Sequence, residues 1–151
     1  MMIFIASDHG GFELKQEVFK LLKSKKIKVK DLGPRILNQG DDYSDFAFSL
    51  ASKVAAKKDN FGILICRSGI GMSIAANKVK GIKAALCTTV GQTVTAKAHN
   101  NCNVLVLAAD FIKLETNLEI VNTFLEASFC QEERHKRRLK KIEDYEACHY
   151  T

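Results

Sequence analysis

The sequence predicts an α/β fold in which helices cover both faces of a parallel β-sheet, giving three layers. Two observations lead to this prediction. Short apolar segments rich in β-branched residues alternate with longer segments of helical period, a pattern typical of β-α-β units. The third and the last of the apolar segments contain almost no polar residues, as expected for strands that are buried on both faces.

The predicted elements follow one another in regular alternation. Residues 2–7, 27–32, 61–66, 82–87 and 103–108 are predicted as strands. The predicted helices are residues 12–22, 46–54, 72–79, 89–99, 118–129 and about 131–146. Apolar residues recur at three- and four-residue intervals in the earlier segments, and the last is a long charged segment with helical character.

Length and composition indicate one globular domain spanning residues 1–151. The chain is 46% hydrophobic and 26% charged, which excludes a disordered chain, a collagen and a coiled coil. The 23 Lys and Arg residues exceed the 17 Asp and Glu residues and give a net charge of +6. This excess favours an anionic partner without identifying it.

The cysteines and the N-terminal segment indicate the compartment. Five cysteines without a C-x-x-C pair predict neither a disulfide framework nor a zinc site, and they favour a reducing environment. The apolar start of the chain turns polar at Asp8, so it is too short for a signal sequence or a membrane span. We therefore expect a cytoplasmic protein with no membrane partner.

Ligands of parallel α/β sheets bind outside the carboxyl ends of the strands, where loops meet helix N-termini. The loop after the third strand carries a thiol, Cys66, followed by Gly69 and Gly71, whose backbone N–H groups can hold an oxyanion. A helix N-terminus and the Arg67 cation are expected to lower the pKa of Cys66. The alternative is a strand-to-helix turn with a structural cysteine, since the loop matches neither a Walker A motif nor the full dinucleotide fingerprint.

Two histidines are candidates for proton transfer. His9 follows the first strand next to Asp8, which can orient the imidazole, and His99 ends the helix before the last strand. Both are expected to project toward the same edge of the sheet. A structural role for either histidine remains the alternative.

The basic C-terminal helix carries Arg134 and Arg138, which are four residues apart and share a helix face. Two guanidinium groups in this arrangement can bind a phosphate. The alternatives are a solvated helix face and a nucleic-acid surface; the basic segment has no interleaved aromatic residues for base stacking.

Taken together, these loops resemble the B-type ribose-5-phosphate isomerases, which are grouped with the galactose- and allose-6-phosphate isomerases. The matching segments are residues 7–11, 42–43, 62–66, 68–78, 99–100, 103–105, 134–135 and Arg138, and they cover essentially the whole chain in order. The resemblance implies a Rossmann-like sandwich with a five-stranded parallel sheet. It also implies no metal, no cofactor, and a homodimer or dimer of dimers with active sites shared between subunits.

The resemblance further implies an aldose–ketose isomerase that interconverts ribose 5-phosphate and ribulose 5-phosphate. Cys66 would be the base that moves a proton through a cis-enediolate, and His99 would open the sugar ring. The implied substrate-binding residues are Asp8, His9, Arg67, Ser68, Gly69, Ile70, Gly71, Asn100, Arg134 and Arg138. An isomerase of allose or galactose 6-phosphate and a non-catalytic sugar-phosphate-binding protein are the alternatives, and nucleic acid is not expected as a partner.

The chain departs from this family at the site. Arg67 replaces the usual glycine and is expected to be strained if the position has a positive φ. Ser68 replaces threonine and keeps the hydroxyl. Asp110 replaces a common arginine and is expected to repel a phosphate unless it faces away. Met72 stands where one branch of the family has a carboxylate base, which leaves Cys66 as the candidate base.

Overall fold

The computed structural model describes residues 2–149 and contains one sheet of five parallel strands. The strands are β1 (Met2–Ser7), β2 (Val29–Asp31), β3 (Asn60–Cys66), β4 (Ala84–Leu86) and β5 (Val104–Ala108). Their order across the sheet is β2-β1-β3-β5-β4, so β3 lies at the centre. In the register, Ile3 pairs with Phe61 and Ile63 pairs with Leu105. The predicted α/β class and the five-stranded parallel sheet are confirmed.

Six α-helices accompany the sheet in the described residues. They are α1 (Phe12–Ser24), α2 (Tyr43–Ala55), α3 (Ile70–Ala76), α4 (Val90–Ala98), α5 (Leu114–Glu126) and α6 (Glu133–His149). A short 3-10 turn at His9–Gly11, which the sequence pattern did not predict, joins β1 to α1. No helix in residues 2–149 is long and apolar enough to cross a membrane.

Two apolar cores lie on opposite faces of the sheet, because successive side chains of each strand alternate between the faces. Ile3 and Ile63 face the core built with α1, α4 and α5, whereas Phe4 and Leu64 face the core built with α2 and α3. All four side chains are buried. The alternation gives the predicted three layers.

Strands β2 and β4 are shorter than the predicted segments 27–32 and 82–87. Both are edge strands that pair with a single neighbour, and their ladders end at Asp31 and Leu86, where the edge strands themselves stop. Helices α3 and α5 begin at Ile70 and Leu114, before the predicted starts at residues 72 and 118. These starts are set by the turns that precede them and not by the apolar period.

The topology decides at which end of the strands each loop lies. Each helix that connects parallel strands returns in the direction opposite to the strands. The loops after β1, β3 and β5 therefore lie at the carboxyl edge, whereas the C-terminal ends of the connecting helices lie at the amino edge. Since β3 has seven residues, the edges are roughly 20 Å apart at about 3.3 Å per residue.

Candidate active site

Cys66 is the last residue of β3 and lies buried at the start of the loop that leads into α3. The backbone N–H of Gly69 donates a hydrogen bond to its Sγ at 3.1 Å. The Ser68 hydroxyl oxygen accepts a bond of 3.3 Å from the Ile70 N–H. One backbone donor of the loop is therefore directed at the thiol, and the predicted binding of an oxyanion by the loop N–H groups stays a prediction.

The expected lowering of the Cys66 pKa is not found. Burial raises the pKa of the thiol above its ordinary value, and the nearby Asp8 carboxylate raises it too. The Gly69, Met72 and Ser68 N–H groups act in the opposite direction without reversing the effect. Arg67, which was expected to assist, instead extends away to Asp110. In the isolated chain, desolvation of the thiol thus raises its pKa more than the N–H groups of the loop lower it.

Gly69 is required by the geometry of this loop. It has a φ of 75°, in the left-handed region, and an added Cβ would overlap the Leu86 side chain. A short distance along the chain, a Cβ at Gly71 would lie 2.7 Å from the Tyr43 ring. Tyr43 therefore covers this part of the loop, although the sequence analysis assigned it no role.

His9 is oriented by Asp41 and not by the adjacent Asp8, so the expected Asp8–His9 pairing is wrong. The His9 Nδ1 atom lies 2.8 Å from Asp41 Oδ1, which also accepts the His9 backbone N–H at 3.0 Å. Because a carboxylate only accepts, Nδ1 carries the proton and Nε2 is the nitrogen that a ligand can use. The signal in the sequence was the acidic pair at 41–42, just before α2.

Asp8 caps the turn that follows β1 and does not contact the His9 ring through a hydrogen bond. It is buried, and its Oδ1 accepts the Gly11 N–H at 3.0 Å, capping the 3-10 turn. Burial raises the pKa of its carboxyl group. Asp8 therefore shapes the loop that holds His9 and lies close enough to Cys66 to influence its ionisation.

His99 does not reach the same sheet edge as His9 within one chain, and the expected convergence is wrong. It caps the C-terminus of α4, a helix that starts after β4 and runs back to the amino edge. Asn100 follows it and is exposed. The expectation failed because a crossover helix reverses direction, so its last residue lies opposite the strand ends.

The predicted phosphate-binding arginines accompany His99 at this second location. Arg134 and Arg138 are both exposed and lie four residues apart on α6, so they share a helix face. Arg134 Nε is bonded to Glu132 at 2.8 Å. His135, between them in the sequence, is buried and its ring stacks on that of His99 with centroids 4.4 Å apart. The candidate site residues of one chain thus form two groups. Cys66 and His9 lie at the carboxyl edge of the sheet, and His99 and Arg134 lie at the amino edge.

Arg67 and Asp110 contact each other at the carboxyl edge. Arg67 Nη1 lies 3.3 Å from Asp110 Oδ2. The non-glycine residues with positive φ within 2–149 are Lys26, Asn101 and Gln131, so the expected backbone strain at Arg67 is not found. Asp110 faces a cation, which offsets the repulsion expected for an anionic ligand.

One group of side chains with metal-ligating atoms lies beside the second location. Atoms of Cys130, Glu132 and His135 all lie within 4.8 Å of one another. Glu132 is already bonded to Arg134. No pattern in the sequence pointed to this group, and the resemblance to the isomerases implies no metal. All five cysteines, Cys130 included, are free thiols.

The carboxyl edge therefore combines a buried thiol that accepts a backbone N–H with an imidazole that is oriented by a carboxylate. His9 and Arg67 line a cleft at this edge. This arrangement defines an α/β protein with a small-molecule site suited to proton transfer on an anionic substrate. The sequence model of the Ribose/Galactose Isomerase family matches residues 3–142. The chain belongs to this family, and the predicted isomerase class is confirmed.

Individual relatives agree over nearly the full length. A probable ribose-5-phosphate isomerase B of Mycoplasma genitalium is 48% identical over 145 residues, covering 95% of each chain. The crystal structure of ribose-5-phosphate isomerase B from Mycoplasma genitalium with bound ribulose-5-phosphate has a TM-score of 0.94 at 47% identity, covering 97% of this chain and 96% of that one. A ribose 5-phosphate isomerase of Thermotoga maritima has a TM-score of 0.90 at 43% identity, covering 95% and 97%.

Proposed function

We propose that this protein interconverts ribose 5-phosphate and ribulose 5-phosphate. The observation that carries the proposal is the buried Cys66 thiol within the loop donors. It stands in a chain 47% identical to a structure crystallised with ribulose-5-phosphate. A base and oxyanion donors are what an aldose–ketose isomerisation requires.

Cys66, as thiolate, removes the proton from C2 of the open-chain aldose. The C–H electron pair forms the C1–C2 double bond, and the negative charge moves to O1. The backbone N–H groups from Arg67 to Gly71 and the Ser68 hydroxyl stabilise this enediolate. The O2 proton then passes to O1, and Cys66 returns its proton to C1, which leaves a ketone at C2.

A shared site between two subunits supplies the remaining groups. His99, Asn100, Arg134 and Arg138 lie at the sheet edge opposite Cys66, so one chain alone leaves the site incomplete. In the proposed homodimer, His99 of the partner subunit opens the sugar ring and Arg134 and Arg138 of the partner subunit bind the phosphate. Asp8 and His9 act from the same chain as Cys66.

Exposed apolar residues support this assembly. Ile70 and Ile74 on α3 are 57% and 58% exposed, and Val90 and Val94 on α4 are 37% and 45% exposed. Each pair is spaced by four residues and forms an apolar stripe on its helix. Such stripes are typical of surfaces that a second copy of the chain covers.

The test is NMR of the purified protein with ribose 5-phosphate in D2O. We expect ribulose 5-phosphate to accumulate and deuterium to enter the exchanging carbon, because the proton passes through an exchangeable thiol. Conversion without deuterium would show that the transferred hydrogen does not exchange with solvent at the thiol. Turnover of allose or galactose 6-phosphate in place of ribose 5-phosphate would assign another substrate, and binding without turnover would contradict the isomerase assignment.

A further inference from the structure

The side chain of Arg67 contacts two other loops at the carboxyl edge of the sheet. Its aliphatic part crosses Gly10, where an added Cβ would overlap Arg67 Cγ. Its Nη1 lies 3.3 Å from Asp110 Oδ2, and its carbonyl oxygen accepts the Asp110 N–H at 2.9 Å. The guanidinium group therefore points from the loop after β3 toward Asp110 in the loop after β5.

This group lies in the cleft that also contains His9. The cleft has a volume of about 720 Å³ and extends over the loops after β1, β3 and β5 and over α1. Among the described residues that line it, Arg67 is the only lysine or arginine, and Glu13, Glu17 and Asp110 are acidic. Within one chain, a doubly negative group entering the cleft is therefore attracted at Arg67 and repelled by Glu13 and Glu17, whereas the charge of Asp110 is paired with Arg67.

On the basis of the proposed function, we propose that the Arg67 guanidinium binds the phosphate group of the substrate together with Arg134 and Arg138 of the partner subunit, and that Asp110 is the positioning residue that orients Arg67. A guanidinium has five N–H donors in a planar fork. Asp110 contacts Nη1, so the other donors are available to phosphate oxygens. The pair is 60% and 45% exposed, and an exposed ion pair is weak enough to be rearranged by a phosphate.

The first test compares Arg67→Gln with Lys25→Gln, which removes the same charge from an exposed residue at the end of α1. Losing a charge-assisted contact to phosphate is expected to raise KM for ribose 5-phosphate roughly 10- to 100-fold, with kcat within about threefold. Lys25→Gln is expected to keep the parent KM. An unchanged KM in Arg67→Gln would overturn the proposal.

The second test separates positioning by Asp110 from direct binding. Asp110→Ala is expected to raise KM a few-fold, and Asp110→Asn, which retains an acceptor oxygen, is expected to restore it. In an Arg67→Gln background, Asp110→Ala is expected to have no further effect, because Asp110 acts through Arg67. Equal effects of Asp110→Ala in both backgrounds would overturn the positioning role.

Calorimetric titration with inorganic phosphate makes the inference testable without turnover. Arg67→Gln is expected to bind phosphate at least tenfold more weakly than the parent protein, and Lys25→Gln is expected to bind equally well. If the parent protein fails to isomerise ribose 5-phosphate, this titration still decides the role of Arg67. If isomerisation occurs and phosphate affinity is unchanged in Arg67→Gln, the inference is wrong and the proposed function stands.

Discussion

The imidazole rings of His99 and His135 lie stacked, with their centroids 4.4 Å apart and their planes 9° from parallel. His135 is buried, and its Nε2 has no hydrogen-bond partner within the described part of the chain. Desolvation lowers the pKa of His135, and the neighbouring His99 and Arg134 lower it further. The stack therefore favours a neutral ring at position 135.

This pKa shift predicts lower stability in acid. The unfolded chain binds a proton at His135 more readily than the folded one, so the contribution is present above the unfolded pKa and is lost as pH falls toward the folded pKa. We expect Tm to fall between pH 7.5 and 5.5, and to fall less in His135→Gln. His149→Gln is the control, because His149 is exposed at the end of the same helix. Equal slopes in all three proteins would contradict this role of His135.

Replacing the proposed base tests the proton transfer directly. Cys66→Ala is expected to reduce deuterium exchange roughly 100- to 10,000-fold, because no other group removes the C2 proton. Binding of the sugar phosphate, measured by calorimetry, is expected to remain. Cys87→Ala is the matched control, since Cys87 is also buried and follows a strand. Normal turnover by Cys66→Ala would show that the base is a different residue.

Mixed dimers test whether two chains share each site. Cys66→Ala and His99→Ala are each expected to be inactive as homodimers. Co-refolding them is expected to restore about a quarter of the parent activity, because half of the dimers are mixed and each contains one intact site. Mixing Cys66→Ala with a Cys66→Ala/His99→Ala double variant restores nothing. A lack of recovery in the first mixture would argue that Cys66 and His99 do not meet across subunits.

The His9–Asp41 contact predicts a binding defect. Asp41→Ala removes the acceptor that orients His9 through Nδ1, and we expect KM for the sugar phosphate to rise about tenfold. Asp42→Ala is the control, because Asp42 precedes α2 without a side-chain capping bond. Steady-state kinetics of the two variants provide the comparison. Equal KM values would mean that Asp41 does not control His9.

The surroundings of Gly62 in β3 and of Gly91 in α4 predict opposite effects of an alanine substitution on stability. A Cβ at Gly62 would overlap the Leu50 side chain, so Gly62→Ala is expected to destabilise the fold by ~1–3 kcal/mol. Gly91 lies in α4 with open space around it, so Gly91→Ala is expected to stabilise it by ~0.5–1 kcal/mol. Urea unfolding measures both. A stabilised Gly62→Ala variant would contradict the packing described for β3.

Local sequence pattern was sufficient for the layers, the strand count and the loop around Cys66. The nearly continuous apolar runs of β1 and β3 indicate strands that are buried on both faces, and Gly69 marks a left-handed turn that few other residues adopt. The i, i+4 spacing likewise placed Arg134 and Arg138 on one helix face. These are short-range properties, in which neighbouring residues impose the geometry.

Contacts between distant segments were decided by the tertiary structure. Asp41, thirty-two positions from His9, holds its imidazole, and Asp110 pairs with Arg67 across a separation of forty-three. The pKa of Cys66 rises because the packed fold removes water from the thiol. His99 lies at the opposite sheet edge because α4 runs back against the strands. Spacing along the chain carries no direct information on such pairings, since they depend on how the layers pack and on where each crossover helix ends.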